Sequence, residues 1–307
     1  MTDTYFLVGG AGFIGSFLAA AIRDRGDRVV VYDLKTTHPL FDRLGIADRV
    51  ETVPGDVTDE THLTAAIKEA EPNYLVHLAA MLTGLETDPQ RAIAVNCAGT
   101  ANAFAAASTA DVDRVVWTSS TSVFAPADRY PDAPEPTVAD DALVAPVGLY
   151  GACKYFCEAL AHAYATHHDV DCIGLRPPGI YGPGKSVAEP HNALIEHAIA
   201  NEPYAVPYGD QRVELVYVRD VGRAILAACH ADEPPRRIYN LGGEFLSYRE
   251  MVEAVETTIG GTLTVTQDET MSWTHDVDWS AAARDLGYEP AYAFADGLAD
   301  WMDTVTG

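Results

Sequence analysis

The chain has 307 residues, 48% of them hydrophobic, enough to bury one large core with a smaller lobe beside it. Its 20 Lys+Arg against 45 Asp+Glu leave a net charge of −25, so a polyanion meets repulsion over most of the surface and nucleic-acid binding is excluded. No charged segment followed by an apolar stretch opens the chain, and no apolar run is long enough to cross a bilayer, which predicts a cytoplasmic protein without a membrane partner.

Lysine occurs only at Lys35, Lys68, Lys154 and Lys185, while carboxylates are dispersed along the whole length. This is the composition of a halophile's surface, where salt screens carboxylate repulsion to within roughly 3 Å at 1 M. Cys97, Cys153, Cys157, Cys172 and Cys229 form no Cys-x-x-Cys pair, so they read as small buried residues rather than a disulfide set or a zinc site. The histidines lack carboxylate or cysteine partners at a ligand spacing, and no metal is expected.

In chain order, Tyr5–Val8, Arg28–Tyr32, Val50–Pro54, Tyr74–Leu78 and Arg114–Thr118 read as strands separated by alanine-rich helices. That alternation predicts a parallel sheet, and unbroken runs such as Val29-Val30-Val31 predict strands covered on both faces. Residues 125 to 146 carry five prolines and read as a loop over the sheet edge. A helix is predicted from Leu149 to His167 and a strand from Asp171 to Leu175. The proline- and glycine-rich segment from Arg176 to Glu189 suits a substrate-facing loop. Short helices at Asn192–Ala200, Val221–Ala228, Tyr248–Gly260 and Ala281–Leu286 alternate with strands at Val213–Val218 and Arg237–Leu241. The expectation is an α/β fold: a Rossmann-type doubly wound parallel sheet over residues 1–175, and a smaller α/β substrate lobe over 176–307 with some segments returning to the main sheet. Trp273, Trp279 and Trp301 are expected to anchor that lobe.

Gly9, Gly12 and Gly15 follow the first strand and open the helical run from Phe13. Glycine allows the tight turn and lets backbone amides approach a pyrophosphate at the helix N-terminus. Asp33 ends the second strand, where a carboxylate accepts hydrogen bonds from the adenosine ribose and repels a 2′-phosphate, so NAD is favoured over NADP. Tyr150 and Lys154 are four apart, on one face of the predicted helix. The ammonium there favours the phenolate of a tyrosine whose ordinary pKa is near 10, making an acid-base group for a hydroxyl proton. The hydroxyl run Thr118 to Ser122 directly follows the fifth strand and would face the nicotinamide crevice.

With these motifs the chain resembles the extended short-chain dehydrogenase/reductases over nearly its whole length. The matching residues are the glycine run Gly9 to Gly15; Gly55-Asp56-Val57; His77-Leu78-Ala79-Ala80; Asn96; Ser119 to Phe124; Tyr150 with Lys154; Arg176 to Gly182; and Val216 to Val221. The resemblance implies that Tyr150 removes the hydroxyl proton, Lys154 lowers its pKa and binds the nicotinamide ribose, and Ser120 orients the substrate oxygen. It implies cofactor contacts at Gly9, Gly12, Phe13, Ile14, Gly15, Asp33, Asp56, Val57, Leu78, Ala79, Ala80, Asn96, Ser119, Tyr150, Lys154, Pro177 and Ile180. Substrate contacts follow at Thr83, Ser120, Thr121, Ser122, Tyr150, Gly179 and Arg212. It also implies a homodimer built on the helices that include Pro89–Ala107 and Tyr150–His167.

Nucleotide-sugar epimerases and dehydratases are the largest group sharing these motifs. This chain departs from them at Gly179, where they carry asparagine, and at Val213, where they carry arginine, although Arg212 is adjacent. Losing two charge-assisted donors to a diphosphate would cost about 1.5–3 kcal/mol each. The sequence therefore favours an NAD-dependent dehydrogenase acting at a secondary alcohol of a small sugar, sugar acid or hydroxy acid. A nucleotide-sugar 4-epimerase that retains NAD and a non-catalytic NAD-binding protein are the alternatives. A dehydratase is disfavoured because Thr121 and Ser122 stand where that branch has an Asp-Glu pair.

Overall fold

A computed structural model describes residues 2–131, 135–185, 187, 189–271 and 275–306. Trp273 and Pro134 lie outside the described residues. The strands are β1 (Thr4–Val8), β2 (Arg28–Asp33), β3 (Glu51–Pro54), β4 (Tyr74–His77), β5 (Arg114–Thr118), β6 (Thr137–Val138), β7 (Cys172–Arg176), β8 (Gly179–Tyr181), β9 (Tyr204–Val206), β10 (Arg212–Tyr217), β11 (Ile238–Asn240), β12 (Glu244–Ser247), β13 (Leu263–Val265) and β14 (Asp276–Val277). The helices are α1 (Phe13–Asp24), α2 (Pro39–Arg43), α3 (Glu60–Ala70), α4 (Pro89–Ile93), α5 (Gly99–Ala107), α6 (Leu149–His167), α7 (Pro190–Ala200), α8 (Val218–His230), α9 (Tyr248–Thr258), α10 (Ser280–Leu286) and α11 (Phe294–Thr306).

Seven strands form one parallel sheet in the order β11-β7-β5-β4-β1-β2-β3. Because side chains alternate across a strand, Tyr5 and Leu7 of β1 enter one core with Val29 and Val31, under α1 and α8. Phe6 and Val8 enter the opposite core with Val30 and Tyr32, under α3, α5 and α6. This is the α/β Rossmann-type arrangement expected from the unbroken apolar runs: both faces are buried, and each buried Val, Leu, Ile or Phe contributes roughly 1.5–3 kcal/mol. The reversal between β1 and β4 opens a crevice at the carboxyl ends of the strands.

Three departures from the sequence expectation matter for the site. The segment from Arg176 to Glu189 is not all loop: after Pro177 and Pro178, β8 pairs in parallel with β10, which pairs antiparallel with β12. The run from Pro89 to Ala107 is not one helix, since a π-helical turn at Ala94–Ala98 separates α4 from α5. The sequence reading also missed α11, whose buried Phe294, Leu298 and Trp301 pack one face while acidic residues line the other. No described helix is long and apolar enough to cross a membrane.

Candidate active site

The carboxyl ends of the main strands open into a cleft of about 1000 Å³ that runs from Gly9 and Asp33, past Tyr150, to Tyr248, His275 and Val277. At its first end the chain leaves β1 through Gly9, which adopts φ +82°; a Cβ there would lie 2.5 Å from the Ala79 amide nitrogen. Gly12 caps α1 without a side-chain hydrogen bond, and the first turn holds no acidic residue. A Cβ on Gly12 would meet only the Gly9 carbonyl, at 3.2 Å. The first amides of α1 are therefore left without a side-chain acceptor beside a surface stripped of side-chain bulk, which fits a pyrophosphate.

Two carboxylates shape the neighbouring wall. Asp33 accepts from the Ala11 amide at 3.1 Å and from the Lys35 amide at 3.3 Å, tying the end of β2 to the glycine turn. Asp56 accepts from the Thr58 amide and hydroxyl at 2.9 and 2.8 Å and pairs with Arg91 at 2.9 Å. Burial alone would raise the Asp56 carboxyl, but these donors outweigh it and hold the group below the usual carboxylate range.

Midway along the cleft, β5 ends and α6 begins. Lys154 is buried, donates to the Thr118 carbonyl at 2.6 Å, and stands 5.6 Å from the centre of the Tyr150 ring. Ser120 and Ser122 hydroxyls are 3.0 Å apart, and the Ser122 amide donates to Ser120 Oγ at 3.1 Å. Burial pushes the Tyr150 phenol above its ordinary pKa and the Glu189 carboxylate adds to that, while Ser120 opposes it. Burial pushes the Lys154 ammonium down, with neighbouring thiols opposing. Behind this pair, Ser119 donates to Glu158 at 2.6 Å, and Glu158 receives both Nε and Nη2 of Arg176 at 2.7 Å. This buried ion pair fixes the ends of β5 and β7 against α6.

The far wall comes from the C-terminal half. Pro177, Gly179 and Ile180 line it, with Lys185, Glu189, His191, Glu214 and Tyr248. Burial would raise Glu189, but His191, 2.9 Å away, and the paired Lys185 hold it down to about 2. The Tyr248 hydroxyl is buried and has no hydrogen-bond partner among the described residues.

Of the residues selected from the sequence, Gly9, Gly12, Phe13, Ile14, Gly15, Asp33, Asp56, Val57, Leu78, Ala79, Ala80, Ser119, Ser120, Thr121, Ser122, Tyr150, Lys154, Pro177, Gly179 and Ile180 all reach the cleft. Three do not line it. Asn96 is buried in the π-helical turn and exchanges hydrogen bonds with the Met81 backbone at 2.7 and 3.0 Å, so it holds the loop that follows the Leu78-Ala79-Ala80 wall. Thr83 is solvent-exposed on that loop. Arg212 stacks 4.3 Å from the Phe245 ring, donates to the Phe245 carbonyl and approaches Glu135 at 3.9 Å. Sequence reasoning missed Arg91, Glu189, His191, Glu214 and Tyr248. Only Glu214 left a local signal, a lone carboxylate in an apolar strand; the others enter through convergence of distant segments.

Residues 5–242 match the model of the NAD dependent epimerase/dehydratase family. The chain is 29% identical to UDP-glucose 4-epimerase of Mycolicibacterium smegmatis, over 97% of this chain and 96% of the relative. Its structure is similar to that of UDP-glucose 4-epimerase with UDP-glucose from Thermotoga maritima (TM-score 0.86, 20% identity, 98% of each chain). It is equally similar to L-threonine 3-dehydrogenase from Trypanosoma brucei (TM-score 0.86, 22% identity, 99% of this chain and 97% of that one).

Proposed function

Because the chain belongs to the NAD dependent epimerase/dehydratase family, and NAD is accordingly its cofactor, we propose that it is a nucleotide-sugar 4-epimerase that keeps NAD bound through the catalytic cycle. The observation that carries this reading is the uninterrupted cleft of about 1000 Å³. Its lining runs from Gly9 and Asp33 past Tyr150 to Tyr248 and His275, which offers one end to a dinucleotide and the other to a second ligand. The Mycolicibacterium smegmatis relative supports the same reading over the small-substrate dehydrogenase that the sequence favoured.

NAD, when bound, would supply reversible hydride acceptance at the sugar carbon. Amides of the first turn of α1 and the Gly12 surface hold the pyrophosphate, and Asp33 accepts from the adenosine ribose. The Tyr150 phenolate takes the substrate hydroxyl proton at its oxygen and later gives it back. Ser120 donates to the same substrate oxygen. The Ser120 hydroxyl opposes the effect of burial on the phenol, and the Lys154 ammonium, anchored on the Thr118 carbonyl, stands beside the ring. An epimerase also requires the oxidised sugar to turn its other face to the cofactor before hydride returns, and the part of the cleft beyond Tyr150 is where that turn would take place.

The test is incubation with UDP-glucose or UDP-galactose in NAD-free buffer at high salt, followed by chromatography of the sugars and assay of NAD released on denaturation. Appearance of the 4-epimer with no net NADH supports the proposal. Steady NADH formation from added NAD and a free sugar or hydroxy acid would replace it with the dehydrogenase. That second reading draws on Gly179 and on the turn of Arg212 away from the cleft, which remove two donors for a diphosphate.

The same proposal includes a cofactor segment at 1–175 and a substrate segment at 176–307, a cytoplasmic location, adaptation to high salt, and a homodimer. Exposed Ile93 on α4 and exposed Tyr155 and Phe156 on α6 favour pairing through those helices.

A further inference from the structure

Strand β10 carries one carboxylate between apolar neighbours. Glu214 is 5% exposed, lines the far wall of the cleft, and takes part in no ion pair among the described residues. Arg212, two positions earlier, is engaged with Phe245 and Glu135. One oxygen of Glu214 accepts from the Gly243 amide at 2.7 Å. That amide is held rigidly: a Cβ on Gly243 would lie 2.1 Å from the Leu215 carbonyl oxygen, and one on Gly242 would lie 2.2 Å from Trp279 Cδ1. The Gly243 amide thus occupies one carboxylate oxygen of this cleft-lining residue, and the other makes no hydrogen bond among the described residues.

A buried carboxylate with one donor and no cation is incompletely satisfied and calls for a proton or a further donor. Burial pushes the Glu214 carboxyl up to about 7, with the Gly243 amide opposing, Asp276 and Glu244 adding to the rise, and Arg212 subtracting.

We propose that Glu214 determines substrate specificity: its second oxygen accepts a hydrogen bond from a hydroxyl of a neutral sugar unit, and its charge keeps a sugar carboxylate away from that wall. This inference rests on the reading of the cleft as a sugar site. It makes the preferred substrate a neutral sugar rather than a uronic acid, because like charges brought together out of water are strongly disfavoured.

The NAD-loaded wild type and the Glu214→Gln variant are titrated calorimetrically with UDP-glucose and UDP-glucuronate at about pH 8.5, where the carboxyl is ionised. Epimer formation is followed separately. Glutamine preserves the shape and the acceptor for Gly243, so a merely structural role predicts no change in the affinity ratio. The expected result is a wild-type preference for the neutral sugar on the order of tenfold or more, narrowed by a similar factor in Glu214→Gln. A wild type that binds the uronate as tightly as the neutral sugar overturns the inference without any variant, and so does an unchanged ratio in a folded Glu214→Gln protein. If neither nucleotide sugar binds, free D-glucose and D-glucuronate are titrated in the same way; the epimerase reading then fails while the same ratio still decides the role of Glu214. Binding of neither free sugar overturns both.

Discussion

Lys154 and Tyr150 are joined without touching: the ammonium is held on the Thr118 carbonyl at 2.6 Å and lies 5.6 Å from the Tyr150 ring centre. The strand end, not the tyrosine, sets where the charge sits. The position of the charge is therefore a property of the fold and persists when the Tyr150 hydroxyl is removed.

Tyr150→Phe should consequently leave NAD affinity within about twofold while lowering kcat by roughly 10²–10⁴, the range for loss of a positioned acid-base group. Fluorescence titration with NAD alongside the turnover assay checks both halves. Retained turnover would remove Tyr150 from the chemistry.

Asp33→Ala loses the acceptor proposed for the adenosine ribose and the tie to the Ala11 amide. The expected outcome is weaker NAD binding and a shift of the NAD-to-NADP affinity ratio toward NADP by on the order of tenfold, since one charge-assisted hydrogen bond is worth roughly 1.5–3 kcal/mol. An unchanged ratio measured by calorimetry would exclude Asp33 as the discriminator.

Arg176→Met would strand Glu158 as a buried charge facing Ser119. Removing one partner of such a pair costs about 3–5 kcal/mol, so denaturant unfolding should report a loss of that size. A loss under about 1 kcal/mol, the range of a surface pair, would mean that water reaches the Glu158 carboxylate.

Acid should destabilise the protein through His77. Burial, with Lys154 adding, lowers its pKa to about 3, and its Nε2 lies 2.9 Å from the Thr100 hydroxyl. The folded value lies below the ordinary 6.5, so the unfolded chain binds the proton first. The stability from a neutral His77 is fully present above about pH 6.5 and falls by roughly 1.4 kcal/mol per unit as pH drops toward 3. Unfolding free energies of wild type and His77→Gln at pH 7 and pH 5 test this. Parallel pH dependence in the two proteins would assign the acid lability to other groups.

The net charge of −25 predicts that the melting temperature rises with salt. Thermal scans between about 0.1 and 3 M KCl should show a monotonic increase; a flat profile would rule out the halophilic reading.

The order of the main-sheet strands through residue 175 was legible in the chain because it rests on local facts. Unbroken valine runs mark strands buried on two faces, glycines mark the turn into α1, and a Tyr/Lys spacing of four marks one helix face. Tertiary structure alone decided what stands opposite that face. Arg212, chosen for its place in the sequence, packs on Phe245, whereas the Glu189–His191 pair, Glu214 and Tyr248 line the far wall from three separate segments. Such convergence leaves no periodicity in any one segment, because it is set by how β8, β10 and β12 pair and by where α7 and α9 then begin. The Gly9–Asp33 end of the cleft was thus written in contiguous motifs, while its far wall exists only once the sheets have formed.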